Sequence, residues 1–222
     1  MGIDSPLSAA ARIGNSGTPN GWFAATPAAV AGTIARLADE DAASLPLLDA
    51  SARRRLTAAT ARLPFRPAIP VVGEGAKTVH QEFTLCMDFP RTSLFLAFAA
   101  AFEHLVDAAL AYMAPAPVAR PFRFNDLIVQ RYERGDRGIT AHRDHLRYMG
   151  LIAVIPLSGA ARFFVCADRA GHAAREIPAP AGSLVLMRGP AYAGRHDRPF
   201  HFVRDVTRRR LSLGLRYDTG VA

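Results

Sequence analysis

The chain contains little cysteine and no long uninterrupted apolar run. Cys86 and Cys166 are its two cysteines, and their wide separation favours reduced interior thiols over a disulfide framework. The longest apolar stretch, Leu94 to Met113, is interrupted by two acidic residues and a histidine, so we expect a buried helix and no membrane span. The N-terminus shows no basic segment followed by an apolar run, and the expected location is therefore the cytoplasm.

Lysine is almost absent, which changes how the charge is interpreted. The formal net charge is +8, and Lys77 is the single lysine among 27 basic residues. A basic chain suits a polyanion partner, but an arginine-rich and alanine-rich composition also arises from a bias of the source genome. No basic stretch is interleaved with aromatic residues of the kind that stack single-stranded bases. The charge leaves nucleic acid as an alternative partner and does not select it.

Length and hydrophobicity predict one domain with a sizeable core. The chain has 222 residues, of which 50% are hydrophobic, and this argues against wholesale disorder. Residues 1–25 are rich in Gly, Ser, Asn, Pro and Ala, and we expect a mobile N-terminal arm there. Residues 26–222 should form a single domain, with helical support over about 26–121 and a β core over about 122–217.

The helical part and the β part carry different local signals. Three helices are predicted from caps and proline stops: Thr26-Pro27 to about Asp39, Asp49 to Leu63, and a long helix from Ser93 that Pro115 and Pro117 end. Strands are predicted at Val79–Met87, Leu127–Tyr132, Leu151–Leu157, Ala161–Ala167, Ser183–Arg188, Phe200–Val203 and Leu211–Tyr217. Ser158-Gly159 predicts a hairpin turn between two of them. Short, evenly spaced strands with turns favour a jelly roll or barrel.

Two histidines and an aspartate form the candidate metal site. In the strand-like segment Ile139 to Asp144, side chains alternate between two faces, so His142 and Asp144 should point the same way. The third ligand is predicted to be His201, which sits in an apolar strand able to hold it rigidly. His196, in a Gly/Pro-flanked loop, is the alternative. Two imidazoles and one carboxylate are the ligand set of a non-haem Fe(II) oxygenase.

Polar residues near the C-terminus suit a carboxylate ligand. Arg210, Ser212 and Arg216 share one strand face by the same period of two. A guanidinium binds a carboxylate through two parallel hydrogen bonds, and a nearby hydroxyl can add a third. Tyr132 could supply a phenol to the same ligand, or it could be a core tyrosine whose hydroxyl is satisfied elsewhere.

The order and spacing of these pieces resemble the Fe(II)/2-oxoglutarate-dependent oxygenases, and within them the AlkB-type oxidative demethylases. The resemblance rests on Asn125–Tyr132, the HxD pair His142-Arg143-Asp144, Arg198–His201, and Arg210-x-Ser212-x-Gly214-x-Arg216. The last piece has the RxNxTxR spacing of that family, with Ser for Asn and Gly for Thr. The resemblance covers roughly Phe122 to Tyr217, less than half of the chain.

The resemblance implies a mainly β fold with N-terminal helices, a double-stranded β-helix or jelly roll. It also implies an oxidoreductase, a dioxygenase that uses dioxygen (O2) and converts 2-oxoglutarate to succinate and carbon dioxide while hydroxylating a C–H bond. Fe(II) would bind His142, Asp144 and His201. The distal carboxylate of 2-oxoglutarate would bind Arg210, with Ser212, Tyr132 and Arg216 beside it.

The substrate is where the sequence departs from DNA-repairing relatives. Those proteins place acidic residues just after the metal-binding aspartate, whereas this chain has His145, Leu146 and Arg147. We expect these three at the substrate rim, although Arg147 could equally be a solvated residue. The replacement of acidic residues by Leu146 and Arg147 suits an anionic or apolar substrate better than a cationic methylated base. A small-molecule or amino-acid-like substrate is therefore favoured. The alternatives are AlkB-like demethylation of alkylated nucleic acid and a non-catalytic metal-binding jelly roll.

Overall fold

Three α-helices support the sheet in residues 21–220, the part of the chain that the computed structural model describes. They are α1 (Pro27–Arg36), α2 (Ala50–Ala59) and α3 (Leu94–Leu110). Each begins at a side-chain cap, because Thr26, Asp49 and Ser93 accept hydrogen bonds from backbone N–H groups of the first turn. None of the described helices combines the length and the apolar character that crossing a bilayer requires.

The end of the predicted mobile arm belongs to the core. Trp22, Phe23 and Ala25 are buried, and the Trp22 ring meets Phe98 of α3 edge to face at 5.5 Å between centroids. The prediction of a mobile arm is therefore wrong for residues 21–25, because aromatic burial fixes this segment against α3. Residues 1–20 lie outside the described part of the chain.

Eleven strands in residues 21–220 form one extensive antiparallel arrangement. They are β1 (Ala42–Pro46), β2 (Arg66–Pro67), β3 (Val71–Val72), β4 (Val79–Glu82), β5 (Thr84–Cys86), β6 (Asp126–Tyr132), β7 (Gly138–His142), β8 (Tyr148–Cys166), β9 (Arg175–Ile177), β10 (Ser183–Arg188) and β11 (Phe200–Asp218). The main path runs β1-β10-β8-β11-β6-β5-β2, while β7 pairs with both β11 and β4. The predicted mainly β fold with N-terminal helices is confirmed.

The predicted hairpin at Ser158-Gly159 is wrong. β8 and β11 each contain 19 residues and pair with one another along their whole length. The two strands predicted on either side of Ser158-Gly159 are halves of β8, and the last two predicted strands are likewise halves of β11. Gly159 has a positive φ of 81° and sits where the register of β8 and β11 shifts. The glycine therefore serves a bulge inside a long strand and not a turn.

Side-chain alternation divides β6 and β11 between two environments. Leu211, Leu213 and Leu215 of β11 belong to the core that also contains the phenylalanines of α3. Leu127 and Val129 of β6 belong to the same core. The intervening side chains therefore face away from the helices, because neighbouring residues of a strand point to opposite faces. This opposite face carries the candidate functional residues.

Replacing Gly159 by alanine should destabilise the fold strongly. The added Cβ would collide with the carbonyl oxygen of Arg209, and the positive φ adds backbone strain, so we expect a loss of about 2–3 kcal/mol in the free energy of unfolding. Gly135→Ala is the control. Gly135 also has a positive φ, of 92°, but a Cβ there would meet nothing within 4 Å, and its loss should be about 1 kcal/mol. Urea denaturation measures both, and equal losses would contradict the close strand contact.

Candidate active site

The three predicted metal ligands converge at the junction of β7 and β11. His142 is the last residue of β7 and pairs directly with His201 of β11. Their ring centroids are 4.2 Å apart. Asp144 follows β7, and its Oδ2 lies 3.9 Å from Nε2 of His201. One ligand atom from each residue lies within 4.8 Å of the others, so a single cation could contact all three.

Backbone carbonyls orient the ligand side chains. Nδ1 of His142 lies 2.9 Å from the carbonyl oxygen of Thr140, and Nδ1 of His201 lies 3.4 Å from that of Pro199. When these nitrogens carry the proton, the Nε2 atoms are left as ligands. Arg198 donates a hydrogen bond to the backbone carbonyl of Asp144. This contact holds the turn after β7, and sequence reasoning missed it because Arg198 is distant in the chain.

The ionisation states of His142 and Asp144 suit metal binding. Burial, reinforced by the nearby His201, lowers the pKa of His142 to about 4. Burial acts to raise the pKa of Asp144, but His201 and Arg216 outweigh it and hold the pKa below its usual value. At neutral pH the His142 imidazole is therefore uncharged and the Asp144 carboxylate is ionised. These are the protonation states that metal ligands need.

His196, the alternative third ligand, lies elsewhere. It is exposed in the loop that follows a short 3₁₀ turn at Tyr192–Gly194. Its neighbours Arg195 and Asp197 form an ion pair at 2.8 Å. His196 is not part of the group formed by the other three residues.

Arg210 is a buried charge without a counter-ion among residues 21–220. It lies opposite Tyr132 in the register of β6 and β11 and is 2% exposed. Its Nη1 donates to Oγ of Ser212 at 3.0 Å, and its guanidinium carbon lies 5.3 Å from the centre of the Tyr132 ring. Its Nη2 is buried and has no hydrogen-bond partner in the described chain. Because an unpaired buried charge is strongly unfavourable, this arrangement calls for an anionic ligand.

Burial also controls the ionisation of this pair. It lowers the pKa of Arg210, and it raises the pKa of Tyr132 to about 12, although the Arg210 charge opposes the rise. The phenol therefore stays protonated at neutral pH and can donate a hydrogen bond. Arg210 and Tyr132 thus present donors from one buried patch, as a carboxylate requires, and Ser212 accepts a hydrogen bond that holds the guanidinium.

Arg216 joins the metal site to a carboxylate that sequence reasoning missed. It faces Asp126 across β6 and β11, with 2.6 Å between Nε and Oδ2. The contact is an ion pair without hydrogen-bond alignment, since both atoms lack a hydrogen-bond partner. Nη1 of Arg216 lies 3.9 Å from Oδ1 of Asp144, and its guanidinium carbon lies 4.4 Å from the centre of the Tyr148 ring. Asp126 therefore balances Arg216 beside the metal ligands, and strand register could have revealed it.

One cavity of about 360 Å³ joins these functional groups. Ser212 and Asp126 do not line it and contact the lining residues Arg210 and Arg216. The two histidines and Asp144 lie in the same cavity wall as Arg210, Tyr132 and Arg216. A further part of the wall comes from β3, β4 and β5 and is mostly apolar: Val72, Val79, Gln81, Phe83, Leu85 and Met87. The metal group and the Arg210 patch are therefore accessible to one ligand.

The predicted substrate rim does not line this cavity. His145, Leu146 and Arg147 are absent from its wall, and Leu146 is 58% exposed. Arg147 is held by an ion pair in which its Nε lies 3.0 Å from Oδ2 of Asp218. The turn after Asp144 directs these side chains outward, and Tyr148 is the next residue that reaches the cavity.

Several solved structures share the fold of this chain, and they belong to known protein families. A prolyl-4-hydroxylase from Pseudomonas putida matches with a TM-score of 0.63 and 18% identity, over 85% of this chain and 98% of that one. A 2OG-Fe(II) oxygenase family oxidoreductase from Burkholderia pseudomallei gives 0.62 and 20%, over 85% and 90%. A prolyl hydroxylase from Trichoplax adhaerens, solved with a hypoxia inducible factor peptide fragment, gives 0.61 and 10%, over 87% and 91%. This chain has the fold of the 2-oxoglutarate–Fe(II) oxygenases.

The predicted double-stranded β-helix is thereby confirmed, and the candidate metal site lies within that fold. At these identities the likeness concerns the fold. No protein-family model and no curated protein matches the sequence. The closer relation to AlkB-type enzymes, which rests on the Arg210 to Arg216 spacing, stays a prediction.

Removing a ligand should weaken metal binding, whereas removing His196 should not. For His201→Ala and Asp144→Ala we expect the affinity for Mn(II), a redox-inert probe, to fall by at least about tenfold, one decade being 1.4 kcal/mol of lost coordination. His196→Ala should bind as the parent protein does, because its ring is exposed and outside the group. Electron paramagnetic resonance of free Mn(II) measures the affinity. Strong loss in His196→Ala with normal binding in His201→Ala would refute the assignment.

Proposed function

We propose that the protein is an Fe(II)- and 2-oxoglutarate-dependent dioxygenase that hydroxylates a C–H bond of a small-molecule or amino-acid-like substrate, with release of succinate and carbon dioxide. The observation that supports this proposal is that a His-Asp-His group and a buried arginine, which has no counter-ion within residues 21–220, face one cavity. A structural metal site would not need that arginine. A simple carboxylate-binding pocket would not need the three convergent ligands.

The metal ligands fit Fe(II). Two neutral imidazoles and one carboxylate make up the set found in non-haem iron oxygenases, and such a set leaves positions open for other ligands. His142, Asp144 and His201 would hold the ion. Iron bound there supplies the activation of dioxygen at the expense of 2-oxoglutarate. Arg216, balanced by Asp126, lies beside Asp144 and favours its ionised form.

The Arg210 patch fits the distal carboxylate of 2-oxoglutarate. Nη2 of Arg210 is available for it, Ser212 fixes the guanidinium through Nη1, and the protonated Tyr132 phenol lies in the same cavity wall. A guanidinium and a carboxylate form a strong charge-assisted contact in such a buried position. Apolar side chains in the cavity wall would limit the access of water once the ligands are bound.

The amino-acid-like part of the proposal has separate support. Two of the solved structures that share this fold are prolyl hydroxylases, and one of them was solved with a peptide fragment. Those facts belong to those proteins, and here they motivate the first compounds to test. Incubation with Fe(II), 2-oxoglutarate and N-acetylated amino-acid amides should raise succinate formation above the level without substrate.

The same assay separates the alternatives. Formaldehyde release from a methylated single-stranded oligonucleotide, with no response to amino-acid derivatives, would transfer the proposal to AlkB-like demethylation. Tight metal binding without any succinate, even after long incubation with 2-oxoglutarate and air, would favour a non-catalytic metal-binding protein.

Arg210→Ala should raise the 2-oxoglutarate concentration needed for half-maximal succinate formation by at least about 30-fold. Loss of one partner of a buried charge pair costs about 2–5 kcal/mol, and 2 kcal/mol corresponds to that factor. Arg209→Ala is the matched control, because its exposed side chain points to the other face and pairs with Glu133 at 2.8 Å. The 2-oxoglutarate concentration that Arg209→Ala needs for half-maximal succinate formation should change by less than about twofold, because a surface ion pair contributes little. Similar defects in both variants would argue against Arg210 as the co-substrate anchor.

A further inference from the structure

We infer that the substrate presents an uncharged, aliphatic group to the metal site, such as a branched alkyl side chain. This inference rests on the proposed function and specifies its substrate class. It comes from the charges that line the cavity, from the apolar part of the cavity wall, and from Met87, an apolar residue of that wall that is also exposed at the surface.

Every charged side chain of the cavity wall except Arg143 has a counter-ion or a task. Arg216 is paired with Asp126, and Arg210 is assigned to the co-substrate. His142, Asp144 and His201 form the metal group. Arg143 is exposed at the edge of the wall, and its guanidinium carbon lies 4.1 Å from the centre of the Phe200 ring.

No other charged residue in positions 21–220 lines this cavity. A cationic methylated base would therefore lack a free carboxylate, and a buried charge without a partner is disfavoured. An anionic group would find only Arg143, at the exposed edge of the cavity. Of the two classes that the sequence favoured, anionic and apolar, the apolar one suits the rest of the wall.

The wall formed by β3, β4 and β5 suits an alkyl group. Five of its side chains are apolar: Val72, Val79, Phe83, Leu85 and Met87. Gln81 also lines this wall, and its Nε2 donates a hydrogen bond to the carbonyl oxygen of Ile69 at 2.7 Å. Gln130 of β6 is the other amide of the cavity. Amides can hydrogen-bond a peptide-like backbone without requiring a charge on the substrate.

The apolar surface continues outside the cavity. Met87 lines the wall and is 39% exposed. Apolar side chains that extend from a cavity to the surface mark a place where an apolar ligand enters. Met87 is therefore a specificity-determining residue for the proposed reaction.

Equilibrium binding of a matched probe series tests the substrate class. The probes are N-acetyl-L-leucinamide, N-acetyl-L-asparaginamide, the α-amide of N-acetyl-L-aspartate, and N-acetyl-L-lysinamide. The first three have side chains of nearly equal shape. The leucine side chain is neutral and apolar, the asparagine side chain is neutral and polar, and the aspartate side chain is anionic. Titration calorimetry on the full chain with Mn(II) and 2-oxoglutarate measures affinity without turnover. We expect the leucinamide to bind at least about tenfold tighter than either charged probe. The affinity of the asparaginamide should lie between that of the leucinamide and those of the two charged probes.

Met87→Glu should change this order. A carboxylate in the wall should improve binding of the lysinamide by about tenfold and weaken the leucinamide, whereas Met87→Leu should keep the parent order. Leu146→Glu is the matched charge control, because Leu146 is exposed and does not line the cavity. It should leave the order unchanged. Succinate formation stimulated by each probe in the Fe(II) protein should follow the binding order.

Three outcomes would overturn the inference: an undetectable affinity for the leucinamide, binding of a charged probe as tight as that of the leucinamide, or a change of order in Leu146→Glu equal to that in Met87→Glu. The proposed function is judged by a different measurement, the Fe(II)-dependent formation of succinate from 2-oxoglutarate without any probe. If that reaction is absent while the leucinamide is preferred, the dioxygenase proposal fails and the assignment of an apolar cavity stands.

Discussion

The candidate site depends on the shifts in register between β8 and β11, because these shifts change the face of the sheet to which successive side chains point. In a regular strand, residues an odd number of positions apart face opposite sides. His201 and Arg210 of β11 are separated in that way, yet both line one cavity. Ile152 and Phe163 of β8 show the same behaviour. Register shifts in the middle of the pair, at Gly159 and after Arg204, reverse the alternation, so that residues an odd number of positions apart face the same side. Without these bulges, the metal group and the Arg210 patch would lie on opposite sides of the sheet.

Arg210 and Arg216, on the same strand, illustrate how a counter-ion distinguishes a structural arginine from one that binds a ligand. Arg216 has its counter-ion, Asp126, at 2.6 Å. Arg210 has a hydroxyl and an aromatic ring beside it, but no carboxylate among residues 21–220. A buried arginine normally needs a charge partner, so the missing partner points to a ligand that the protein binds. The same reasoning, applied to the rest of the cavity wall, leaves Arg143 at the exposed edge as the one charge among residues 21–220 that is available to the substrate.

Several features could be predicted because they are local. Thr26, Asp49 and Ser93 mark helix starts since their side chains cap the first turn. His142 and Asp144 were expected to point the same way because of the period of two, and they do converge. Where longer-range pairing decides, prediction failed. Ser158-Gly159 reads locally as a turn, but the pairing of β8 with β11 continues through it. His145, Leu146 and Arg147, expected at the substrate rim, are exposed and do not line the cavity, and their contact with the substrate stays a prediction.

The sequence by itself determined the chemistry that is available: the His-Asp-His ligand set, the arginine motif and the alternation of a mainly β chain, since these depend on residue type and short spacing. Only the tertiary structure decided that His201 and not His196 completes the group, because β11 lies directly beside β7 and the loop of His196 does not. It also paired Arg216 with Asp126 and formed the apolar wall from β3, β4 and β5. Those contacts join segments far apart in the chain, and strand register is set by packing and bulges that local sequence does not encode.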